Sequence, residues 1–408
     1  MNRWLMITIV SGGVSLTAAL PAAAETPLSF HRAREIILSG NAGLKSTETE
    51  TNAARAGVKQ ANTFLDPEIG VELEKFGVNE IEASVGQTIE LGGKRKFRTE
   101  AAQKEVDAVV NAGKITRLEL ETEIVRRFIP IVTTTHKLAV LDSILKITQS
   151  TRDQIQHRVD VGGAKATDLI RIEIDIEQLQ LERDELMREN AQARMKFASL
   201  GNRQDTALMN VEGELNSKSE IPDLASLQEA IEENPVLAAY LIEQQHLETE
   251  LKQLRADVVP DLNLSAGYIR NNEDNSNSPT FGMSMSIPLF NRNTAARKQT
   301  ELKYKATGER RENALRLLMA DIQNIYSQIE TIDHRLQSLQ SSIVPKAQRV
   351  YEMLQEYYNA GKAGFLDLAE AQAEMLRLSL ELLDIQQERA EKLTDLMQMT
   401  ATNIQIVK

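Results

Sequence analysis

Apolar residues recur at Leu315, Leu318, Ile322, Ile325, Ile329, Ile332, Leu336, Leu339 and Ile343, alternately three and four apart. A period of 3.5 is the winding of a coiled coil and puts all nine side chains on one seam. The helical pattern runs from about Asn293 to Ala360, a rod of roughly 100 Å at 1.5 Å per residue. An ordinary globule has no room for such a helix, so the fold must be elongated. The next apolar positions, Ala347, Val350, Leu354 and Tyr357, restart with an extra step of four. Pro345 lies inside this stutter, where a kink does least damage. Beyond Gly361 the seam resumes at Leu368, Ala371, Met375, Leu378, Leu382 and Ile385, and an earlier stretch does the same with Leu169, Ile172, Ile176 and Leu179.

The chain also resembles itself. Asn41 and Pro67 recur as Asn234 and Pro260, displaced by 193, and Gly162 with Asp168-Leu169 recurs as Gly361 with Asp367-Leu368, displaced by 199. Anchors in constant order predict two tandem copies, the second carrying about five extra residues in a polar loop near Asn271 to Ser278. The glycines at 162, 163, 361 and 364 break both long helices at matching places, so each copy is read as a helical hairpin with its tip there. The expected plan is a leader at 1–24, a first repeat at 25–223 and a second at 224–408. The first holds a β-hairpin at about 64–91 and a helical hairpin at about 94–200 with its tip near 162. The second holds a β-hairpin at about 260–290 and a helical hairpin at about 293–401 with its tip near 361.

Before each rod the period becomes two. Ile69, Val71 and Leu73 alternate with Glu68, Gly70, Glu72 and Glu74, and Ile81, Ala83, Val85, Ile89 and Leu91 oppose Glu80, Glu82, Ser84 and Glu90. Leu262 to Tyr268 and Phe281 to Leu289 alternate likewise. Such strands have one apolar and one wet face, and about ten residues is the length of a tilted membrane-crossing strand. Half of a soluble sandwich has the same alternation. Four strands cannot close a barrel, and lipid admits no open sheet edge, so a membrane sheet here requires several chains to pool their strands.

Arg3, an apolar stretch from Trp4 to Leu20 and Ala22-Ala23-Ala24 form the pattern of an export signal cleaved after Ala24. No later stretch approaches 18 consecutive apolar residues. With no cysteine, the chain has no disulfide, thiolate site or lipidated cysteine. A formal charge of −12 without a basic block argues against nucleic acid. The five histidines never stand at i, i+4 ligand spacing, and no catalytic triad or phosphate loop occurs. Neither an enzyme nor a bound cofactor is expected.

Two repeats, short amphipathic hairpins and very long helical hairpins resemble the TolC-type outer membrane efflux proteins along the whole mature length. The resemblance is carried by Asn41 and Asn234, Pro67 and Pro260, Ile287-Pro288-Leu289-Phe290, and the tips Val161-Gly162 to Asp168-Leu169 and Tyr358 to Gly361 with Asp367-Leu368. Gln87 to Arg95 looks like the cobalt-zinc-cadmium branch. The resemblance implies a mainly α fold with a small β part. Three chains would make a twelve-stranded outer membrane β-barrel over a periplasmic α-barrel, an exit duct whose cargo, if the chain belongs to the cobalt-zinc-cadmium branch, would be heavy-metal cations. The expected partners are two further copies, a periplasmic adaptor, an inner-membrane pump of the resistance-nodulation-division type, and outer membrane lipid. The aromatic girdles usual in such barrels are thin here, with only Phe64, Phe76, Tyr268, Phe281 and Phe290 to supply them.

The resemblance also assigns sites. Asp367 and Glu370 would line the narrow periplasmic entrance, although an ordinary solvated helix face has the same spacing. Asp168 and Tyr358 would help to latch the closed tip, with simple helix capping by Asp168 as the other reading. An arginine often completes that latch, but its place holds Ala363. Gly162 and Gly361 would form the tips that dock the adaptor. Glu68, Glu72, Glu80 and Glu82, opposite the apolar strand face, would line the barrel lumen. Lys94, Arg95, Lys96 and Arg98 would either meet lipid phosphates or stand solvated. An adaptor would show one hairpin interrupting a single β-module, and a coiled-coil scaffold leaves the strand hairpins unexplained.

Overall fold

The computed structural model describes residues 27–74, 80–201, 206–216, 219–272 and 274–407. The expected export signal and Phe76 lie outside the described residues. A two-residue strand β1 (Leu28–Ser29) leads into α1 (Phe30–Gly40) and α2 (Ala42–Ala61). The hairpin β2 (Glu68–Glu74) and β3 (Glu80–Ile89) precedes α3 (Lys94–Asp160) and α4 (Ala166–Ala198). After β4 (Val211–Glu212) and α5 (Leu224–Ala230) come α6 (Pro235–Ala256) and the hairpin β5 (Leu262–Asn271) and β6 (Ser276–Met285). The chain ends with α7 (Thr294–Ser338), α8 (Val344–Asn359) and α9 (Phe365–Thr400).

Two local causes set the starts of α2 and α6. Asn41 and Asn234 accept hydrogen bonds from Leu44 N at 3.2 Å and Val236 N at 2.8 Å, so each side chain satisfies an otherwise unpaired helix-start amide. Each also donates to a distant carbonyl, Asn41 to Leu200 and Asn234 to Met399, and thereby fastens its helix to the neighbouring fold.

The helices form a layer. Near the sheet α2 packs on α3, α3 on α6 and α6 on α7, while towards the tips α4 packs on α3, α3 on α9 and α9 on both α7 and α8. A main core girdles the layer at mid-height, where Phe128, Ile129, Ile131 and Val132 of α3 meet Phe197, Leu227, Ile329, Leu393 and Ile406. Short segments complete it: β1 runs parallel to β4, and Leu215 bridges Val407. No periodic pattern announces this belt. Within it α3 buries a broad face, while Arg126 and Arg127 keep its opposite side polar.

The α7 seam is buried from Ile322 to Leu339, and then the phase slips. A π turn at Leu339–Ile343 carries one residue more than an α turn, so the inward positions become Val344, Ala347, Tyr351, Leu354 and Tyr358. Ile343, Val350 and Tyr357, expected on the seam, are exposed instead. Pro345 follows the widened turn directly.

Two strand expectations are corrected. Ser276 to Ser278 are paired in β6 and do not form a loop, because Asn275 adopts φ +56° and Asp274 accepts from Ser276 N at 3.0 Å, closing a tight turn. The last strand ends at Met285, short of Leu289, since Pro288 has no N–H with which to continue a ladder.

Candidate functional site

The two β-hairpins join through β3 and β5 into one antiparallel sheet of order β2-β3-β5-β6. Its register settles the faces. Glu72 stands opposite Glu82, Glu82 opposite Ile269, and Ile269 opposite Ser278, so these residues share one face. The next row on that face is Gly70, Ser84, Gly267 and Thr280, and beyond it lie Glu68, Gly86, Ser265 and Gly282. Glu80 falls on the same face, opposite Asn271. Thr280 Oγ1 donates to Glu82 Oε1 at 3.0 Å across the sheet, over Gly267, where a Cβ would come within 2.7 Å of the Thr280 hydroxyl. This face carries mainly small and polar side chains, with Ile269 the exception.

The opposite face is apolar and uncovered. Ile69 is 82% exposed and Phe281 85%, with Val71, Leu73, Val85, Leu264, Tyr268 and Met283 exposed beside them. Arg270 and Gln87 interrupt this face, and Ile269 interrupts the polar one. Contiguous apolar surface on this scale requires lipid or protein against it. The strands β2 and β6 are both sheet edges in the single chain.

About 100 Å away by helix rise lie the two tips. Gly162 (φ +76°) and Gly361 (φ +71°) end their helices in the left-handed conformation, where L side chains are strained, and no atom stands within 4 Å of a Cβ built on either. Tyr358 is buried, edge-on to Phe365 with ring centroids 6.4 Å apart. The guanidinium of Arg158 lies 4.8 Å from its ring centroid, and Arg158 Nη1 donates to the Tyr358 carbonyl at 3.0 Å. Burial raises the Tyr358 hydroxyl above the usual tyrosine range, opposed by Arg158 and reinforced by Asp168. The sequence reading missed Arg158. It looked for an arginine at Ala363, whereas the cation comes from the other hairpin, 200 residues away.

The acidic residues separate. Asp367 Oδ2 accepts from Gly364 N at 3.1 Å, so it caps α9, and the equivalent side-chain bond is not made at Asp168. Capping therefore falls to Asp367 and not to Asp168. Glu370 lines a groove of about 580 Å³ between α4 and α9, with Arg171, Asp175 and Arg377. Burial lifts the Asp175 carboxyl above the usual carboxylate range, against the pull of Arg171. On the groove floor Gln372 Nε2 donates to Thr148 Oγ1 at 2.5 Å. Within one chain Asp367 thus caps the helix, and Glu370, three residues on, faces the groove. Among the described residues, no group of three His, Cys, Asp or Glu side chains converges as a metal site.

Residues 226–402 match the outer membrane efflux protein family. Over 382 residues the chain is 23% identical to the cobalt-zinc-cadmium resistance protein CzcC of Cupriavidus metallidurans, covering 91% of this chain and 90% of the relative. It is 22% identical to the nickel and cobalt resistance protein CnrC of the same organism, covering 68% of each. In fold it is similar to the outer membrane protein VceC of Vibrio cholerae, with a TM-score of 0.75, 15% identity, and coverage of 92% of this chain and 96% of that one.

The helix starts are clamped to the sheet by charges that the sequence equally offers to lipid. Lys94 Nζ lies 2.8 Å from Asp261, whose other oxygen accepts from Leu91 N at 3.1 Å. Arg98 grips both oxygens of Glu90, at 2.5 and 3.1 Å, and also the carbonyls of Ala61 and Thr63. Burial raises the nearby Asp257 carboxyl, against the pull of Lys94. Lys94 and Arg98 are thus internal fasteners that hold the strand ends on the helix starts. Arg95 and Lys96 are turned to the surface, Arg95 3.9 Å above the Phe64 ring.

Proposed function

We propose that three copies of this chain form the outer membrane duct of an efflux system that expels heavy-metal cations. The observation that carries the reading is the four-stranded sheet, with two open edges, an exposed apolar face and a polar face of small and acidic residues. Three such sheets make a twelve-stranded barrel without edges, which is the only kind of sheet that hydrocarbon tolerates. The helical layers, open at their outer helices, close alongside into a periplasmic tunnel. Energy comes from a pump of the resistance-nodulation-division type, reached through a periplasmic adaptor that docks at the Gly162 and Gly361 tips. The chain itself performs no chemistry. An adaptor role is disfavoured because both hairpins share one sheet, and a scaffold role because such a scaffold has no use for an apolar sheet face.

Passage follows from charge. Glu68, Glu72, Glu80 and Glu82 of three chains line the lumen and enrich cations there, with a field screened over about 8 Å at physiological salt. At the far end Asp367 and Glu370 form a narrower acidic ring, and the Arg158–Tyr358–Asp168 group holds the tip closed. Similarity to CzcC and CnrC, named for cobalt, zinc, cadmium and nickel resistance, supports metal cations as the cargo. The test is conductance of the trimer in planar bilayers. Cation-selective reversal potentials are expected, together with block by multivalent cations on the tip side. That block should largely disappear in Asp367→Asn with Glu370→Gln, whereas the four barrel variants should shift selectivity mainly at low salt. Anion preference in the unmodified trimer rejects the lumen assignment.

A further inference from the structure

At the helix end of the sheet, β3 runs past the start of β2, so Gln87, Thr88 and Ile89 have no β2 partner on that side. Gln87 Nε2 reaches across and donates to Leu65 O at 2.8 Å. Between these residues and the start of α3 lies a cavity of about 880 Å³, walled by Phe64, Leu65 and Ile89 and rimmed by Arg95 and Lys96. It opens at the β2 edge. Phe64 and Leu65 are exposed, and the Arg95 guanidinium carbon lies 3.9 Å from the centroid of the Phe64 ring.

The other edge of the sheet carries the complementary feature. Beyond Met285 the chain leaves β6 as an irregular tail, anchored where Asn293 Nδ2 donates to Leu254 O at 3.2 Å. Along this tail Ile287 and Leu289 are about two-thirds exposed, and Phe290 is fully exposed. An apolar tripod of this kind has no partner among the described residues of its own chain.

Strand direction brings the two together. All neighbours in the order β2-β3-β5-β6 are antiparallel, so β6 of one copy meets β2 of the next antiparallel as well. The end of β6 and the start of β2 then lie at the same, helical end of the barrel. We infer that Ile287, Leu289 and Phe290 of one protomer fill the Phe64–Leu65–Ile89 cavity of the next and lock each barrel seam just below the strands. The occupant is a second copy of this chain. Aromatic side chains seated in pockets are the usual anchors of such contacts, and Arg95 offers a cationic rim for the Phe290 ring. The inference rests on the trimer reading and adds to it which side chains make the seam.

The native chain has no cysteine, so a pair introduced as Leu65→Cys with Phe290→Cys reports on this contact alone. Within one chain these positions lie on opposite edges of the sheet, about 14 Å apart at ~4.8 Å per strand spacing, too far for an internal bridge. The full-length double variant is oxidised in membranes with copper phenanthroline or treated with a short bismaleimide. Its mass in detergent is measured by light scattering. Linked dimers and trimers on a denaturing gel are expected from the double variant and from neither single variant. Phe290→Ala, without any cross-linker, is expected to lower the temperature at which the trimer dissociates. A trimer that never cross-links and melts unchanged in Phe290→Ala overturns the inference and leaves the duct reading standing, and lipid co-purifying with that trimer would identify the occupant of the cavity instead. A chain that stays monomeric in detergent overturns both.

Discussion

The two long rods meet a proline in opposite ways. In α3, Pro130 sits within unbroken α-helix, surrounded by the buried side chains of Phe128, Ile129, Ile131 and Val132. The carbonyl that loses its N–H partner is that of Arg126, four residues back, whereas the side-chain bonds nearby fall on the other side of the ring: Thr134 Oγ1 donates to Pro130 O at 2.7 Å, Thr135 Oγ1 to Ile131 O at 2.6 Å, and Asn190 Nδ2 also to Ile131 O. In the α7–α8 rod, Pro345 follows a π turn, and the surrounding core is a small cluster of Ile332, Leu336, Leu339, Leu378 and Ile385. Where packing is dense the surroundings hold the backbone to its course. Where packing is thin the backbone itself yields, by one residue. Irregularity is therefore absorbed by whichever partner is softer.

The harshest challenge to this comparison is a new proline on the dense level but without the supporting side chains. Ile325→Pro is expected to cost about 3 kcal/mol or more in each helix and to abolish the stable trimer in membrane fractions. Recovery of wild-type amounts of heat-dissociable trimer would show that the belt rescues any proline, and that the side chains around Pro130 are incidental.

The rods differ, yet their tips match, so equal treatment should give equal results. Gly162→Val and Gly361→Val each force a β-branched residue into the left-handed region, at roughly 1–2 kcal/mol apiece. Trimer yield is expected to be spared and cross-linking to the adaptor lost, to the same degree in both. Cross-linking that persists while the trimer dissociates would assign the glycines to assembly.

The gentlest probe is Pro345→Ala. Because the π turn has already accommodated the proline, stability should change by less than about 1 kcal/mol. Amide hydrogen exchange is expected to slow across residues 339–346 if the turn relaxes to α. Unchanged exchange would mean that the buried Tyr351 and Tyr358, and not Pro345, hold the phase.

The features legible in the sequence are those written as local periods. The alternation in Glu68 to Val85 gives the sheet faces directly, and the three-four spacing gives the buried line from Ile322 to Leu339. A stutter near Pro345 is legible, but its place and phase are not, because Ile343 and Val344 are both apolar and either can continue the pattern. The belt was hidden because Leu28, Val211, Leu215 and Val407 come from segments too short to show a period. At the tip, Gly364-x-x-Asp367 has the spacing of a capping box, and that spacing was available before any coordinates. The contact of Arg158 with Tyr358 was not, since the repeat offset of 199 makes the two tips equivalent without saying that they touch.

The two open strand edges carry a consequence for the timing of biogenesis. A lone sheet or a pair brings unpaired backbone groups to the hydrocarbon, each costing several kcal/mol, so the bilayer refuses any incomplete set. If the duct is the proposed trimer, insertion would have to wait until three chains have met, and its rate would rise steeply with the concentration of exported chains waiting in the periplasm. At low expression such a protein spends its time as a water-exposed precursor, open to proteases and to pairing with the wrong strand. The lipid then serves as an inspector that admits only finished barrels.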